Sequence, residues 1–161
     1  MIPRSFITEW RAQAPWVLDA QVEQDLLISR ALVELFSSPL LAANLGFRGG
    51  TALHKLFLKP ATPYSEDLDF VQIQRGPKRH LVKAIREALD PFLGIPDRPF
   101  RLGRIVLIYS QESEIEPKQT MKIKVEINTR EQFKVFDIQN LPFEVKSQWY
   151  SGEGGRSYFR A

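Results

Sequence analysis

The spacing of hydrophobic residues predicts amphipathic helices. Across residues 19–36, apolar side chains recur every three or four positions, which is the period of a helix with one buried face. Residues 80–92 repeat this spacing. A shorter helix is predicted over residues 51–58, between a double-glycine turn and Pro60, because proline ends helices.

Alternation of apolar and polar residues predicts strands over residues 66–73, 100–109 and 121–128, and an edge strand over 143–146. The third strand has the cleanest alternation, so one face is core and the other is polar. Its core side carries Met121, Ile123, Val125 and Ile127, and its polar side Lys122, Lys124, Glu126 and Asn128.

Helices mixed with mostly hairpin-like strands predict an α+β fold, with a mixed and mostly antiparallel sheet flanked by helices. No internal repeat or linker divides the chain, so we expect a single domain over residues 1–161. Within it, residues 1–18 are predicted to form an N-terminal arm. Residues 149–161, which are glycine-rich and lack a period, are predicted to form an irregular tail.

Composition narrows the class of protein. The 161 residues include 22 Lys and Arg against 19 Asp and Glu, a net charge of +3 that permits a polyanionic partner. The chain has no cysteine, which excludes disulfides, a thiolate nucleophile and a cysteine zinc site. No apolar stretch approaches the roughly 20 residues needed to cross a bilayer, and the first residues lack a signal peptide's hydrophobic region. We therefore expect a cytoplasmic protein without a membrane partner.

Two aspartates on one predicted strand are the strongest chemical signal. Asp67 and Asp69 lie two positions apart, so their carboxylates emerge on the same face, about 6.6–6.8 Å apart along the strand. Like charges repel in this arrangement unless a cation lies between them, and Mg²⁺ prefers one or two carboxylates plus substrate phosphates. Glu126 could supply a third acid for phosphoryl transfer. In the competing interpretation, the aspartates only make an exposed strand face polar, and Glu126 pairs with Lys124.

A glycine turn upstream strengthens the metal interpretation. Gly49 and Gly50 stand at a predicted strand-to-helix junction, where backbone N–H groups can approach a phosphate. Thr51 can cap the new helix or hydrogen-bond the phosphate. Lys55 is placed to contact a phosphate, and Ser65 either orients a metal ligand or ends the loop before the aspartates.

These residues resemble a known family. The stretches Gly-Gly-Thr-Ala-Leu-His-Lys (49–55), Tyr-Ser-Glu-Asp-Leu-Asp-Phe (64–70) and Lys-Val-Glu-Ile (124–127) are similar to the signature of the AbiEii/AbiGii toxin nucleotidyltransferases, which are related to the MenT toxins. That family belongs to the DNA polymerase β-like superfamily, so the resemblance implies a nucleotidyltransferase core. The likeness runs from about residue 20 to about residue 150.

The resemblance implies a role for each matching residue. Gly49, Gly50 and Thr51 would contact a nucleoside triphosphate, Asp67 and Asp69 would bind Mg²⁺, and Glu126 would be the third acid and metal ligand. The implied reaction transfers a nucleoside monophosphate from an NTP to an acceptor such as the 3′ end of tRNA, with release of pyrophosphate. A cognate antitoxin would be the protein partner, in phage defence or growth control.

Two departures from the family pattern are visible. The family has an arginine shortly before Ser-Glu-Asp, where this chain has Thr62 and Pro63. Family members also continue past the third acid into helices with a further lysine and an Arg-Asp-x-x-Asp-Leu-like motif, so a truncated or minimal member, or an excised domain, is expected. An inactive domain that binds RNA or a protein is the alternative function.

Basic residues cluster in the middle of the chain. This cluster is either a phosphate-tracking surface for RNA or a solvated helix face and turn. The cluster comprises Arg75, Lys78, Arg79, Lys83, Arg86, Arg98, Arg101 and Arg104.

The two histidines, His54 and His80, are not at metal-ligand spacing from each other.

Overall fold

The computed structural model describes residues 2–12, 18–48, 67–73, 76–130, 139–147 and 149–159. Four helices lie in these ranges: α1 (Arg4–Trp10), α2 (Asp19–Ser37), α3 (Pro39–Asn44) and α4 (Lys78–Leu93). The helices predicted over residues 19–36 and 80–92 are confirmed as α2 and α4. The helix predicted over residues 51–58 lies outside the described residues.

Local sequence explains where the helices begin and end. Ser38 and Pro39 separate α2 from α3: the Ser38 hydroxyl accepts the Leu41 N–H at 3.4 Å, and proline fits the first helical position. Gly94 ends α4 with a φ of +82°, a left-handed conformation that glycine adopts without the steric cost of a Cβ.

Six strands in the described ranges form one mixed sheet. They are β1 (Leu45–Arg48), β2 (Asp67–Gln72), β3 (Arg104–Glu112), β4 (Thr120–Asn128), β5 (Gln139–Lys146) and β6 (Ser151–Phe159). Their order across the sheet is β3-β4-β2-β1-β6-β5. The β2–β4 and β1–β6 pairs are parallel, and the other three are antiparallel. The α+β class and the mostly antiparallel sheet are confirmed.

One face of the sheet packs against the helices. Leu68 and Phe70 of β2 lie beside Val125 and Ile127 of β4, and all four are buried. The Phe70 ring lies 5.8 Å from that of Phe36 in α2, which joins the sheet to the helical layer. Alternation then directs the residues between them, which include Asp67, Asp69 and Glu126, to the opposite face.

The N-terminal segment is part of this core. The predicted arm over residues 1–18 contains α1, whose Ile7 and Trp10 are buried against α2. The Trp10 indole donates a hydrogen bond of 2.8 Å to Asp25 in α2, which satisfies a polar group that burial would otherwise leave unpaired.

Two predicted boundaries are wrong. The strand predicted over residues 100–109 begins only at Arg104, because Gly103 adopts a φ of +73° in the turn that precedes it. The irregular tail predicted over residues 149–161 contains strand β6, which pairs with both β1 and β5. Backbone hydrogen bonds hold such a strand without requiring alternating side chains. The edge strand predicted over residues 143–146 is confirmed as part of β5.

None of the described helices is both long and apolar enough to cross a membrane.

Candidate active site

The candidate site lies on the face of the sheet opposite the helices, where β2 and β4 run side by side. Asp67 and Asp69 alternate along β2 with the buried residues Leu68 and Phe70, and both aspartates are partly exposed. The sequence pattern that predicted two carboxylates on one accessible strand face is therefore observed.

The parallel pairing of β2 with β4 brings the third acid to the same place. Asp69 is the register partner of Glu126, and Asp67 is the partner of Lys124. Neighbouring strands are about 4.8 Å apart, so the Glu126 side chain starts beside that of Asp69. The structure thus places Asp69 next to Glu126 and Asp67 next to Lys124.

Two cations hold the Glu126 carboxylate. Arg104, on the neighbouring strand β3, donates from Nη1 to Oε1 at 2.7 Å, and the Lys124 ammonium lies 3.2 Å from Oε2. The Glu126 side chain is 16% exposed, whereas those of Arg104 and Lys124 are 47% and 36% exposed. The carboxylate is thus largely shielded from water, and its two partners extend into solvent.

These contacts determine the charge state of the site. Partial burial raises the pKa of Glu126, but the hydrogen bonds from Arg104 and Lys124 outweigh it, and the pKa lies below its usual value. The pKa of Lys124 is raised, chiefly by its hydrogen bond to Glu126 and further by the charges of Asp67 and Asp69. Near neutral pH the site therefore holds an ionised Glu126 and a protonated Lys124.

The carboxylates of the site have the chemistry of ligands for a hard cation. Carboxylate oxygens are the ligands that Mg²⁺ prefers, and it is ordinarily held by one or two carboxylates with substrate oxygens and water completing the shell. Among the described residues, no three acidic or imidazole side chains converge closely enough to hold a metal ion alone. The arrangement fits a site of two protein carboxylates completed by substrate better than an all-protein cage.

The remaining predicted site residues lie outside the described part of the chain. They are Gly49, Gly50, Thr51, Lys55 and Ser65. The strand that precedes Gly49 in sequence is described: β1 ends at Arg48, whose register partner across the antiparallel β1–β2 pair is Asp69. The last described residue of β1 thus lies at the level of Asp69.

Sequence reasoning missed Arg104 and Lys124 as site residues. A signal for Lys124 was present, because the alternation in β4 puts it on the same face as Glu126. Arg104 belongs to the basic cluster in the sequence, but its contact with Glu126 depends on the pairing of β3 with β4. The predicted pairing of Glu126 with Lys124 is observed together with the clustering of the acids.

Two solved structures from Helicobacter pylori share this fold. JHP933 aligns with a TM-score of 0.55 and 18% identity, over 89% of this chain and 53% of JHP933. A protein described provisionally as a nucleotidyltransferase aligns with a TM-score of 0.54 and 18% identity, over 88% of this chain and 55% of its own. The chain thus spans about half the length of these proteins. At such identities the likeness shows the fold alone.

MenT4, the nucleotidyltransferase toxin Rv2826c of Mycobacterium tuberculosis H37Rv, aligns with a TM-score of 0.47 and 17% identity, over 81% of this chain and 44% of MenT4. This score is too low to support an argument. No curated protein matches the chain in sequence. The model of one family, the nucleotidyl transferase AbiEii toxin of type IV toxin–antitoxin systems, matches residues 30–155, which include β1, β2 and β4. The chain belongs to this family.

Proposed function

We propose that the chain catalyses magnesium-dependent nucleotidyl transfer, in which a nucleoside monophosphate passes from an NTP to an acceptor hydroxyl, such as one on tRNA. The observation that carries the proposal is the register of β2 and β4, which aligns Asp69 with Glu126 beside Asp67. This alignment lies within the segment that matches the family.

Asp67 and Asp69 would hold Mg²⁺, with Glu126 as the third acid. The metal would neutralise phosphate charge and orient the reacting oxygens. Glu126 is already paired with two cations, so its metal contact would compete with the ion pairs to Arg104 and Lys124. Gly49, Gly50, Thr51, Lys55 and Ser65 complete the proposed nucleotide site.

Arg104 and Lys124 would stabilise the triphosphate. Arg104 uses one nitrogen for Glu126, and a guanidinium carries five N–H donors in total, so it can contact a phosphate while keeping this ion pair. Its half-exposed side chain can reach an incoming ligand. The two residues would supply positive charge to the site in a chain whose sequence has Thr62 and Pro63 in place of the family's arginine before Ser-Glu-Asp.

In the transfer, the acceptor oxygen bonds to the α-phosphorus as the bond from that phosphorus to pyrophosphate breaks. Pyrophosphate leaves, and the hydroxyl proton passes to solvent. Glu126 is a weak proton acceptor because its pKa is lowered by Arg104 and Lys124, so its proposed role is electrostatic rather than that of a general base. A cytoplasmic toxin of this kind would be restrained by its cognate antitoxin, in phage defence or growth control.

The test is to incubate the purified chain with Mg²⁺, total tRNA and each labelled NTP in turn, and to follow label on RNA and on protein. We expect transfer that needs Mg²⁺ and is lost in the Asp67→Asn/Asp69→Asn variant, which keeps side-chain size while removing both charges. The Glu112→Gln/Glu116→Gln variant is the matched control, because both glutamates are exposed and lie outside the site.

Circular dichroism establishes that each variant is folded. Transfer that persists in the double aspartate variant would overturn the assignment of the metal ligands. No transfer from a folded wild-type chain, combined with RNA or protein binding, would instead favour the inactive binding module.

A further inference from the structure

A basic cleft runs along the outer side of α4, on the part of the molecule that carries β3. Four cationic side chains line it: Arg79, Lys83 and Arg86 from the helix and Arg98 from the segment that follows it. Two carboxylates, Glu87 and Asp90, lie among them. We refer to this group of six residues as the basic cleft.

Its two carboxylates do not neutralise all four cations. Asp90 accepts hydrogen bonds of 2.8 Å from both Arg86 and the Tyr109 hydroxyl, so its charge is already shared. Glu87 lies 3.8 Å from Lys83 in an exposed pair, which contributes little. Neither Arg79 nor Arg98 has a salt bridge to a described residue, and both are exposed. These two arginines are available to an anion from outside.

An exposed aromatic residue lies next to this charge. The segment that connects α4 to β3 carries Phe100, which is 84% exposed and stands between Arg98 and Arg101 in sequence. A ring exposed to this extent offers a face on which a base can stack. A ring flanked by arginines is the combination by which proteins bind single-stranded nucleic acids, with bases stacked on the ring and phosphates held by the cations.

Backbone pairing connects the segment to the candidate active site. Asp97 exchanges two hydrogen bonds of 2.9 Å with Ile108 of β3, and the register partner of Ile108 is Lys124. Arg101 pairs with Arg104, which holds Glu126. β3 is the edge strand and lies two strand spacings from β2, so the segment that pairs with its outer side lies three spacings, about 14 Å, from the strand of the aspartates.

We propose that the basic cleft and Phe100 form the binding surface for a single-stranded polynucleotide, whose terminal hydroxyl is directed toward Asp67 and Asp69. The direction of the terminus rests on the proposed nucleotidyl transfer, whereas the binding itself does not. Arg79 and Arg98 hold phosphates, and Phe100 stacks on an unpaired base.

The test measures fluorescence anisotropy of a labelled oligouridylate of about 12 nucleotides with the full 161-residue chain, across a range of salt concentrations. We expect Arg79→Ala/Arg98→Ala to weaken binding about tenfold and to reduce the slope of log K against log salt by about 1.4, because two phosphate contacts are lost. The charge-matched control is Arg4→Ala/Lys118→Ala, which removes two exposed cations from outside the surface and should change affinity less than about twofold.

Substitutions at Phe100 distinguish base stacking from the docking of an apolar protein partner. Phe100→Trp keeps an aromatic face and should retain affinity for the oligonucleotide, whereas Phe100→Leu keeps an apolar side chain and should lose about fivefold or more. A surface for a protein partner predicts no dependence of oligonucleotide binding on these residues, and that result overturns the proposal. Equal loss in the control variant overturns it as well.

The proposed transfer reaction can fail separately. The Asp67→Asn/Asp69→Asn variant should bind the oligonucleotide like the wild type whether or not the wild type transfers nucleotide. Transfer that does not depend on the basic cleft refutes the direction of the terminus, and oligonucleotide binding that does not depend on the cleft refutes the binding surface. Cleft-dependent binding without transfer refutes the reaction alone.

Discussion

Substitution of Glu126 by glutamine tests how the candidate site is held together. The change keeps the size of the side chain and removes its charge. In the wild type, Glu126 makes a 2.7 Å hydrogen bond with Arg104 and a 3.2 Å ion pair with Lys124. The glutamine oxygen can still accept from Arg104, but both interactions lose the attraction of opposite charges.

The expected loss follows from the strength of these contacts. A hydrogen bond to a charged group contributes about 1 kcal/mol more than a neutral one, which gives about 2 kcal/mol for the pair. Arg104 and Lys124 are 47% and 36% exposed, so solvent screening reduces this figure. We expect Glu126→Gln to lower the free energy of unfolding by about 1 kcal/mol at neutral pH.

The loss should depend on pH in one direction. Because the folded-state pKa of Glu126 lies below its ordinary value of 4.5, the folded protein favours the ionised form. Its stabilising contribution is fully present above the unfolded-state pKa and is lost as the pH falls through the folded-state pKa. The gap between variant and wild type should therefore be constant from neutral pH down to about pH 5 and should close under more acidic conditions.

Urea unfolding followed by tryptophan fluorescence, over a series from about pH 7 to about pH 3, measures this gap. Glu112→Gln on β3 is the control, since this exposed residue should change stability by less than about 0.5 kcal/mol. A Glu126→Gln variant as stable as the wild type at neutral pH, or a gap that does not close in acid, would refute the reasoning.

Three further predictions concern the scaffold. The Arg30 guanidinium lies 4.3–4.7 Å from the centroids of three aromatic rings, so Arg30→Lys should cost about 1 kcal/mol in thermal unfolding, and an unchanged Tm would contradict the stacking. Gly103→Ala should cost at least about 1 kcal/mol, chiefly because φ is +73° at this position and also because the added Cβ would meet the Arg130 side chain. The control Gly76→Ala, with open space around it, should change urea stability by less than about 0.5 kcal/mol. Burial raises the pKa of Glu23, so wild-type stability should fall as pH rises from 4.5 through the folded-state pKa. Urea unfolding at several pH values should show that Glu23→Gln flattens this slope, and an identical slope in the variant would exclude Glu23 as the cause.

The spacing of apolar residues is enough to predict those elements that have one buried and one exposed face. The alternation in β4 correctly divides Val125 and Ile127 from Lys124 and Glu126, because a strand with one buried face must place every second residue in the core. β6 carries no such signal: its glycines have no side chain to sort, and its place between β1 and β5 depends on backbone hydrogen bonds. The irregular tail was therefore the natural but wrong prediction.

Long-range pairing is the part of the site that local pattern does not encode. The aspartates of β2 and the glutamate of β4 are each visible in the sequence, but their adjacency depends on a parallel register that joins distant segments. The polar residues Glu23 and Gln24 in α2 illustrate the same limit. They are buried because Glu23 accepts the Glu114 N–H and Gln24 donates to the Lys122 carbonyl, contacts that no helical period predicts.

The two interpretations of Glu126 that the sequence left open describe one arrangement. A carboxylate next to Asp69 would raise the electrostatic repulsion in the site, and the ion pairs with Arg104 and Lys124 offset that repulsion. The same two cations keep Glu126 ionised, so under the proposed function it would be available as a metal ligand. Metal binding by Glu126 would compete with its ion pairs, and a triphosphate would offset that competition by giving Arg104 and Lys124 new partners.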